Sequence, residues 1–373
     1  MMLKERTIDA IISSIDNIKR KDYISTVSDI SASVCSGGVM FDTPYTNGKT
    51  TATKNAFTQI NQMIMPGFNQ YAQQVISKGI PELYTDAFNK LKTTVDRSCM
   101  LRTSDTGDGN NVIRAFLSSK YNRIDDDAVV GSLVDTIGTK AEFTDKFKSI
   151  GGNITDTHTF IKFVSREPVF TIHADGRDRT FSTGLIFSNS ETGHGTCQVQ
   201  VLMIDNYCNN GCIFSSTNIG TFRLIHSGTD YSAKDRFGYI TPPAIANSKL
   251  EALRMHIKGI LDCACDPDTF SAYYNLIQNT ASMSMDTDDP ECIMKWVDQI
   301  GRYFDINETE KKAVVGRLIE TNDRSLFGIQ AAITDAAKYA ETYDRKIELE
   351  SIGGKMLTTI PDRWETIKKL VNA

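Results

Sequence analysis

The feature that most constrains the fold is a change of sequence texture at the double proline Pro242-Pro243. Before it, from about residue 150 to 226, short runs rich in Val, Ile, Phe and Thr alternate with glycine-containing turns, as is typical of strands. After it, apolar residues such as Leu253, Ile257 and Ile260 recur at helical spacing. Because a proline disfavours helical geometry in the preceding residue, we expect a boundary near residue 243.

This pattern predicts an α+β protein with an antiparallel β-sheet core, packed helices and an all-helical C-terminal region. A chain of 373 residues is longer than one small core needs, so two units are expected. We place a mixed α+β core domain at residues 1–243 and a helical C-terminal domain at 244–373. The hydrophobic fraction of 40% is enough to bury a substantial core.

The N-terminal part begins with an amphipathic helix, predicted over about residues 4 to 20. Residues 24–50 contain the turn signal Asn47-Gly48, which favours a hairpin or an extended arm. Thr53 can cap the helix that follows it. A further helix begins after Pro81, and its spacing predicts that Leu83, with Ala87, Phe88 and Leu91, points inward.

Other local signals concern hairpins and helix starts. Residues 99–102 and 112–117 flank a glycine-containing turn and predict a β-hairpin. Asp125, Asp126 and Asp127 precede an apolar helical stretch, where their simplest role is to cap the helix. Asn307 and Glu310 have the spacing of a capping box.

Bulk composition limits the classes of function. A net charge of −5 and a pI near 5.6 argue against coating duplex DNA by bulk electrostatics, but leave room for a local basic groove. No apolar run approaches the roughly 20 residues of a membrane helix, and the charged N-terminus does not resemble a signal peptide. We therefore expect a cytoplasmic protein without a membrane partner, with its eight cysteines reduced.

Several motifs resemble those of one family. Arg114–Asp125 (RAFLSSKYNRID) resembles the signature RAFLSDRYRPID of the phage- and plasmid-associated domain-of-unknown-function 932 family. Gly184–Gly193 (GLIFSNSETG) resembles its GLVVSNSEVG strand and turn, and Cys208–Gly211 (CNNG) its CTNG. His226–Gly228 (HSG) resembles its HxG site, and Leu326–Thr334 (LFGIQAAIT) its LWGLYNAVT helix. The motifs occur in the family's order.

This resemblance runs from roughly residue 51 to 357 and implies a mobile-element context without assigning a reaction. The sequence departs from the family's usual residues at Ser119, Asn209 and Phe327. Phage and plasmid proteins with a sheet-and-helix core before a helical tail are similar in outline to single-strand annealing recombinases. We therefore expect a non-catalytic, homo-oligomeric protein of the host cytoplasm that binds or anneals single-stranded DNA in recombination or replication.

Such a protein needs cations for phosphates and aromatic faces for bases. Two segments supply them, one around the 114–125 motif and one that closes the strand-rich block. The predicted nucleic-acid-binding residues are Arg114, Lys120, Tyr121, Arg123, Arg223, His226, Lys234 and Arg236. The alternative is structural: Arg114 and Arg123 pair with neighbouring aspartates and Tyr121 packs inside.

The sequence leaves other functions open. A protein-binding factor, such as an inhibitor of a host defence, would use apolar helical surface and bind no nucleic acid. A metal-dependent nuclease would need converging carboxylates, which Asp125–Asp127 or the acids at 286–289 could supply. Cys208, Cys212, Cys263 and Cys265 could form a zinc site, but their spacing is not a standard pair.

Catalytic motifs are also missing from the sequence. The five histidines lie in no recognised Ser-His or Cys-His motif, although a triad is defined in space. No GxxxxGK[ST] or GxGxxG loop occurs. We predict no catalytic residue, no metal and no cofactor.

Overall fold

The structure is a computed structural model that describes residues 5–46, 48–105, 111–121, 123–174, 176–214, 223–224 and 243–372. It has the α+β architecture expected from the sequence, with antiparallel sheets, packed helices and a helical C-terminal region. This prediction of fold class is confirmed.

The strands fall in the first part of the chain. They are β1 (Lys19–Thr26), β2 (Ser31–Cys35), β3 (Gly38–Asp42), β4 (Thr51–Ala52), β5 (Ser98–Asp105), β6 (Asn111–Ser118), β7 (Phe147–Ile154), β8 (Thr159–Ser165), β9 (Phe170–Ala174), β10 (Arg177–Asn189), β11 (Cys197–Asp205), β12 (Asn210–Phe214) and β13 (Arg223–Leu224).

Helices occur in all parts of the described chain, and every described element after β13 is helical. They are α1 (Ile8–Asn17), α2 (Lys54–Ile64), α3 (Phe68–Ser77), α4 (Pro81–Leu91), α5 (Asp126–Gly138), α6 (Ala141–Lys146), α7 (Pro243–Cys265), α8 (Ser271–Ala281), α9 (Pro290–Gly301), α10 (Glu308–Thr321), α11 (Leu326–Ala336), α12 (Tyr343–Thr359) and α13 (Trp364–Asn372).

A four-stranded sheet has the strand order β1-β5-β6-β4. Its neighbours pair antiparallel except the short β4, which pairs parallel with β6. Helices α2, α3 and α4 and the β2–β3 hairpin pack on this sheet around a core that includes Phe41, Tyr84, Phe88 and Phe116. β1 forms one edge of the sheet and carries basic side chains, a common protection of strand edges.

The second sheet has the order β12-β11-β10-β8-β7, with β9 pairing with β10 and β13 with β11. Residues from α1, α5, α7 and α8 pack against one face, where Phe163, Leu185 and Ile257 are buried. α12 packs against the other face, where Ile186 and Ile213 are buried. Both faces are therefore covered, which explains why most residues of β8 and β10 are buried.

Gly354 allows α12 to lie directly on β12. A Cβ added at Gly354 would be 2.1 Å from the carbonyl oxygen of Ile213. Only a glycine fits at this distance, so the close approach of helix and strand depends on it.

The helices after Pro243 contribute to two cores. α7 and α8 share the core of the second sheet, and Phe327 of α11 also belongs to it. Helices α9 to α13 surround a separate core in which the rings of Trp296 and Trp364 lie 4.5 Å apart. The helix that begins at Pro243 is thus packed onto the sheet that precedes it in the chain.

Several local predictions are confirmed. Thr53 caps α2 by accepting a hydrogen bond from the Ala56 N–H, and Asn307 and Glu310 form the capping box of α10. Residues 98–105 and 111–118 form the expected hairpin. These signals are local, so the sequence carries them without knowledge of tertiary contacts.

Residues 24–50 contain the expected hairpin, which β2 and β3 form with a turn at Ser36-Gly37. Phe41 and Thr50 also pair antiparallel, so the chain turns again between them, while Asn47 itself lies outside the described residues. Two other local predictions are wrong. Leu83 is 48% exposed rather than inward, because Pro81, Tyr84 and Phe88 form the inner face of α4. Asp125 precedes α5 but its side chain makes no capping bond, since it pairs with Arg102 instead.

Candidate functional site

The most polar buried region lies where the turn after β10 meets the four-stranded sheet. Residues 188–192 (SNSET) are all buried. Gly193, with a φ of 79°, closes the turn against β6, and a Cβ there would be 2.4 Å from Cδ2 of Leu117. Asn55 and Gln59 of α2 donate hydrogen bonds to the carbonyl oxygen of Thr192 at 3.3 and 2.7 Å. The turn is therefore fixed on both sides.

Glu191 is the centre of this region and is 2% exposed. Its carboxylate accepts hydrogen bonds from Nε of Arg20 at 2.9 Å and from Nη1 of Arg114. The backbone N–H of Asp126 donates to the same carboxylate at 3.2 Å. Two arginines from different strands of the first sheet thus converge on one acid from the second.

Arg102 and Arg123 extend the network. Arg102 is 2% exposed and donates to both carboxylate oxygens of Asp22, at 2.9 and 3.1 Å. It also donates to Asp125 at 2.6 Å and to the carbonyl oxygen of Glu191 at 2.7 Å. Arg123 donates to Asp22 at 3.0 Å. The charges of the four arginines are therefore largely used inside the protein.

Asp126 has a different environment although it lies beside Glu191. Its two oxygens accept from the amide of Asn189 at 2.7 Å and the hydroxyl of Thr159 at 2.8 Å, which are neutral donors. Burial, and then the nearby charge of Glu191, raise the pKa of Asp126 to about 7. Burial also acts to raise the pKa of Glu191, but Arg114, Arg20 and Arg102 outweigh it and lower that pKa.

The carboxyls of Glu191 and Asp126 therefore differ in protonation near neutral pH. Glu191 stays ionised and neutralises arginines, while Asp126 can hold a proton near neutral pH. The arrangement joins the two sheets and the start of α5. Among the described residues, it presents no cluster of three or more His, Cys, Asp or Glu side chains suited to a metal ion.

The predicted nucleic-acid-binding residues are distributed unevenly around this network. Arg114 and Arg123 pair with Glu191 and Asp22, as the structural alternative expects. Tyr121 is half-buried, and its hydroxyl donates to the carbonyl oxygen of Ser190 at 3.0 Å. Lys120 is exposed.

In the second predicted segment, which closes the strand-rich block, the structure describes only one of the four predicted residues. Arg223 lies on β13, opposite Gln198 of β11. His226, Lys234 and Arg236 lie outside the described residues.

The charge distribution is strongly asymmetric between regions. Residues 19–124, which contain the first sheet with α2, α3 and α4, have 13 Lys and Arg against 8 Asp and Glu. We call them the basic unit, because their net charge is +5 in a chain of −5. Eight of its cations are exposed and form no ion pair with any described residue: Lys19, Lys21, Lys49, Lys54, Lys78, Lys90, Arg97 and Lys120.

An aromatic pair lies at the edge of the same unit. The rings of Tyr23 and Tyr45 stack with centroids 4.8 Å apart and an angle of 9°. The hydroxyl of Tyr45 donates to the carbonyl oxygen of Ile24 at 2.7 Å, which holds Tyr45 against β1. Lys19, Lys21 and Tyr23 alternate to one face of β1. Cations and stacked rings therefore share one strand edge.

A histidine–carboxylate pair, which no sequence motif indicated, lies elsewhere. Nδ1 of His158 lies 2.9 Å from Oδ1 of Asp344, at the start of α12. The ring of His194 stands perpendicular to that of His158 at 6.3 Å. The hydroxyl of the nearby Ser190 is buried and accepts from the backbone N–H of His194 at 3.0 Å. This geometry orients His158 but offers no exposed nucleophile.

All eight cysteines lie in the described part of the chain, and none of them forms a disulfide. Burial raises the pKa of Cys208 to about 11 and that of Cys212 well above its usual range. These two side chains are therefore held as thiols, which are poor nucleophiles and poor metal ligands.

Within the described ranges, no helix has both the length and the apolar run needed to cross a bilayer. A model of the family described as domain of unknown function (DUF932) matches residues 115–349. No curated protein and no solved structure matches the chain.

Proposed function

Since the chain belongs to the DUF932 family, whose description names no activity, we propose its function from its own charge distribution: it binds single-stranded DNA and promotes strand annealing. The observation that carries the proposal is the basic unit, with eight exposed cations that form no ion pair with any described residue. A positive face on an otherwise acidic chain supports local attraction of phosphates.

The proposed contact surface is the β1 edge. Lys19 and Lys21 lie two residues apart on one strand face, a spacing of roughly 6.6 Å, and can contact successive phosphates of an extended strand. The outer face of the Tyr23–Tyr45 stack offers a surface on which a base can stack. Such stacking tolerates any base, which suits binding without sequence preference.

The buried network has a supporting role in this proposal. Glu191 and Asp22 hold Arg20, Arg102, Arg114 and Arg123, so these arginines position β1, β5 and β6 rather than contact phosphates. Of the residues predicted from sequence, Lys120 is retained as a phosphate contact. We place this activity in phage or plasmid recombination, in the cytoplasm of a host cell, without a catalytic step.

The test is binding of a fluorescent single-stranded oligonucleotide by the double variant Lys19→Glu/Lys21→Glu. Loss of two phosphate contacts should weaken binding and reduce the slope of log affinity against log salt by about 1.4, at about 0.7 per contact. The matched control is Lys295→Glu/Lys312→Glu, which reverses two exposed charges outside the basic unit. If both double variants weaken binding equally, the loss of affinity comes from the change in net charge alone, and the β1 edge is refuted as the contact surface.

Tyr45→Ala tests the aromatic part of the proposal separately. Loss of base stacking should weaken binding by about 1–3 kcal/mol without changing the salt slope, because no phosphate contact is removed. Tyr45→Phe keeps the ring but removes the hydroxyl that bonds to Ile24, so it should retain most of the affinity. If the β1 lysines only protect the strand edge, none of these variants will alter binding.

A further inference from the structure

An apolar patch lies on the outer side of α3 and α4, away from the first sheet. Tyr71, Ile80 and Leu83 are all exposed, and Leu83 is 48% exposed. The Tyr71 hydroxyl donates to the carbonyl oxygen of Leu83 at 3.3 Å, and the Leu83 N–H bonds to the carbonyl of Ile80 at 3.2 Å. The three exposed residues therefore lie close to one another, and we call them the α3–α4 patch.

The core beneath the α3–α4 patch is complete without the patch residues. The inner faces of the same helices bury Phe68, Ala72, Tyr84 and Phe88 against the first sheet. The helices are thus held without their outer side chains. A group of exposed apolar residues that the core does not need is a candidate protein interface.

Charge indicates which surface can cover the patch. The charges of the exposed side chains beside the patch cancel, because two cations, Lys78 and Lys90, are balanced by two acids, Glu82 and Asp86. Glu191 and Asp125 lie outside the basic unit but pair with its arginines, so they reduce its net charge from +5 to +3. This remaining positive charge sets the long-range field. The helices at residues 251–372, which we call the helical region, have 15 Lys and Arg against 21 Asp and Glu, a net charge of −6.

We propose that the α3–α4 patch packs against the helical region of a second copy of the chain, in a head-to-tail contact. Two basic units facing each other would repel, whereas a basic unit and a helical region attract. A contact between two different faces leaves one of each free on every pair of molecules. It therefore continues into rings or filaments instead of stopping at a two-fold dimer.

Sedimentation velocity of the full chain at low and high salt tests self-association. Wild type should form species larger than a dimer at low salt and dissociate as salt is raised, since exposed charges are screened. Leu83→Glu should be monomeric at concentrations where wild type assembles. Val169→Glu, at a residue that is 42% exposed just before β9 and outside both the α3–α4 patch and the helical region, is the matched control and should assemble like wild type.

A mixing experiment tests the head-to-tail geometry. A labelled Leu83→Glu copy retains its helical region, so it should bind to wild type and cap its assemblies at shorter lengths. A two-fold contact between patches would leave the labelled variant unbound, which would overturn the proposal. A monomeric wild type at low salt, or assembly of Leu83→Glu like wild type, would overturn it as well.

The variant also separates this inference from the proposed function. Leu83 lies on a helix and not on the β1 edge, so monomeric Leu83→Glu should still bind a single-stranded oligonucleotide at the intrinsic affinity of one site. Its far-UV circular dichroism should match that of wild type, because the exposed side chain makes no core contact.

Discussion

Replacing Asp126 by Asn should remove a specific pH dependence from the stability of the protein. The pKa of this buried carboxyl is raised to about 7, against about 3.9 in an unfolded chain. The folded state therefore binds more protons than the unfolded state between about pH 4 and 7. The free energy of unfolding falls as pH rises through that range and levels off above it.

The magnitude follows from the two pKa values. One pKa unit corresponds to about 1.4 kcal/mol, so ionising Asp126 in the folded state costs about 4 kcal/mol in all. Between pH 5 and 8, wild type should lose about 2–3 kcal/mol through this group. Asn cannot ionise, and it keeps an oxygen that can accept from Asn189 or Thr159.

Urea denaturation followed by circular dichroism at several pH values between 5 and 8 measures this effect. The stability of Asp126→Asn relative to wild type should improve by about 2–3 kcal/mol from pH 5 to pH 8. Asp127→Asn, at the exposed neighbour in the same helical turn, should run parallel to wild type. If Asp126→Asn is also parallel to wild type, the assignment of a protonated Asp126 is refuted.

Denaturation midpoints test three further features of the fold. Glu191→Gln should lower the free energy of unfolding by about 3–5 kcal/mol, because it leaves buried arginines without their carboxylate. Gly354→Ala should lower the free energy of unfolding by about 1–3 kcal/mol, because its Cβ clashes with Ile213. Gly316→Ala, which has nothing near its Cβ, should raise the free energy of unfolding by about 0.5–1 kcal/mol. Asn307→Ala should cost about 1 kcal/mol through loss of the capping box, and an unchanged midpoint would show that the box does not form.

Local chemistry made much of the fold predictable from the sequence. Thr53 and the Asn307 capping box mark helix starts because a cap needs only residues within one turn. Helix α3 was not predicted, since polar residues occupy much of Phe68–Ser77 and only Phe68 and Ala72 are buried. The prediction for Leu83 is wrong because Leu83 lies at helical spacing from other apolar residues, which suggests one common face. The inner face of α4 is instead set by contacts with residues distant in sequence.

The polar network could not be derived from spacing. Glu191 meets Arg20 and Arg114 across 171 and 77 residues of sequence, so no local pattern links them. The run Asp125–Asp127 reads as a helix cap, yet Asp125 pairs with Arg102 and Asp126 is buried beside Glu191. The SNSETG resemblance was the available signal, because it singled out the turn that contains Glu191.

The central claim is that the basic unit binds single-stranded DNA. Fluorescence anisotropy of labelled single- and double-stranded oligonucleotides, titrated with wild type across a salt series, tests it most directly. We expect binding to the single strand, a linear fall of log affinity with log salt at about −0.7 per phosphate contact, and faster annealing of complementary strands. Absence of single-strand binding at low salt would contradict the claim.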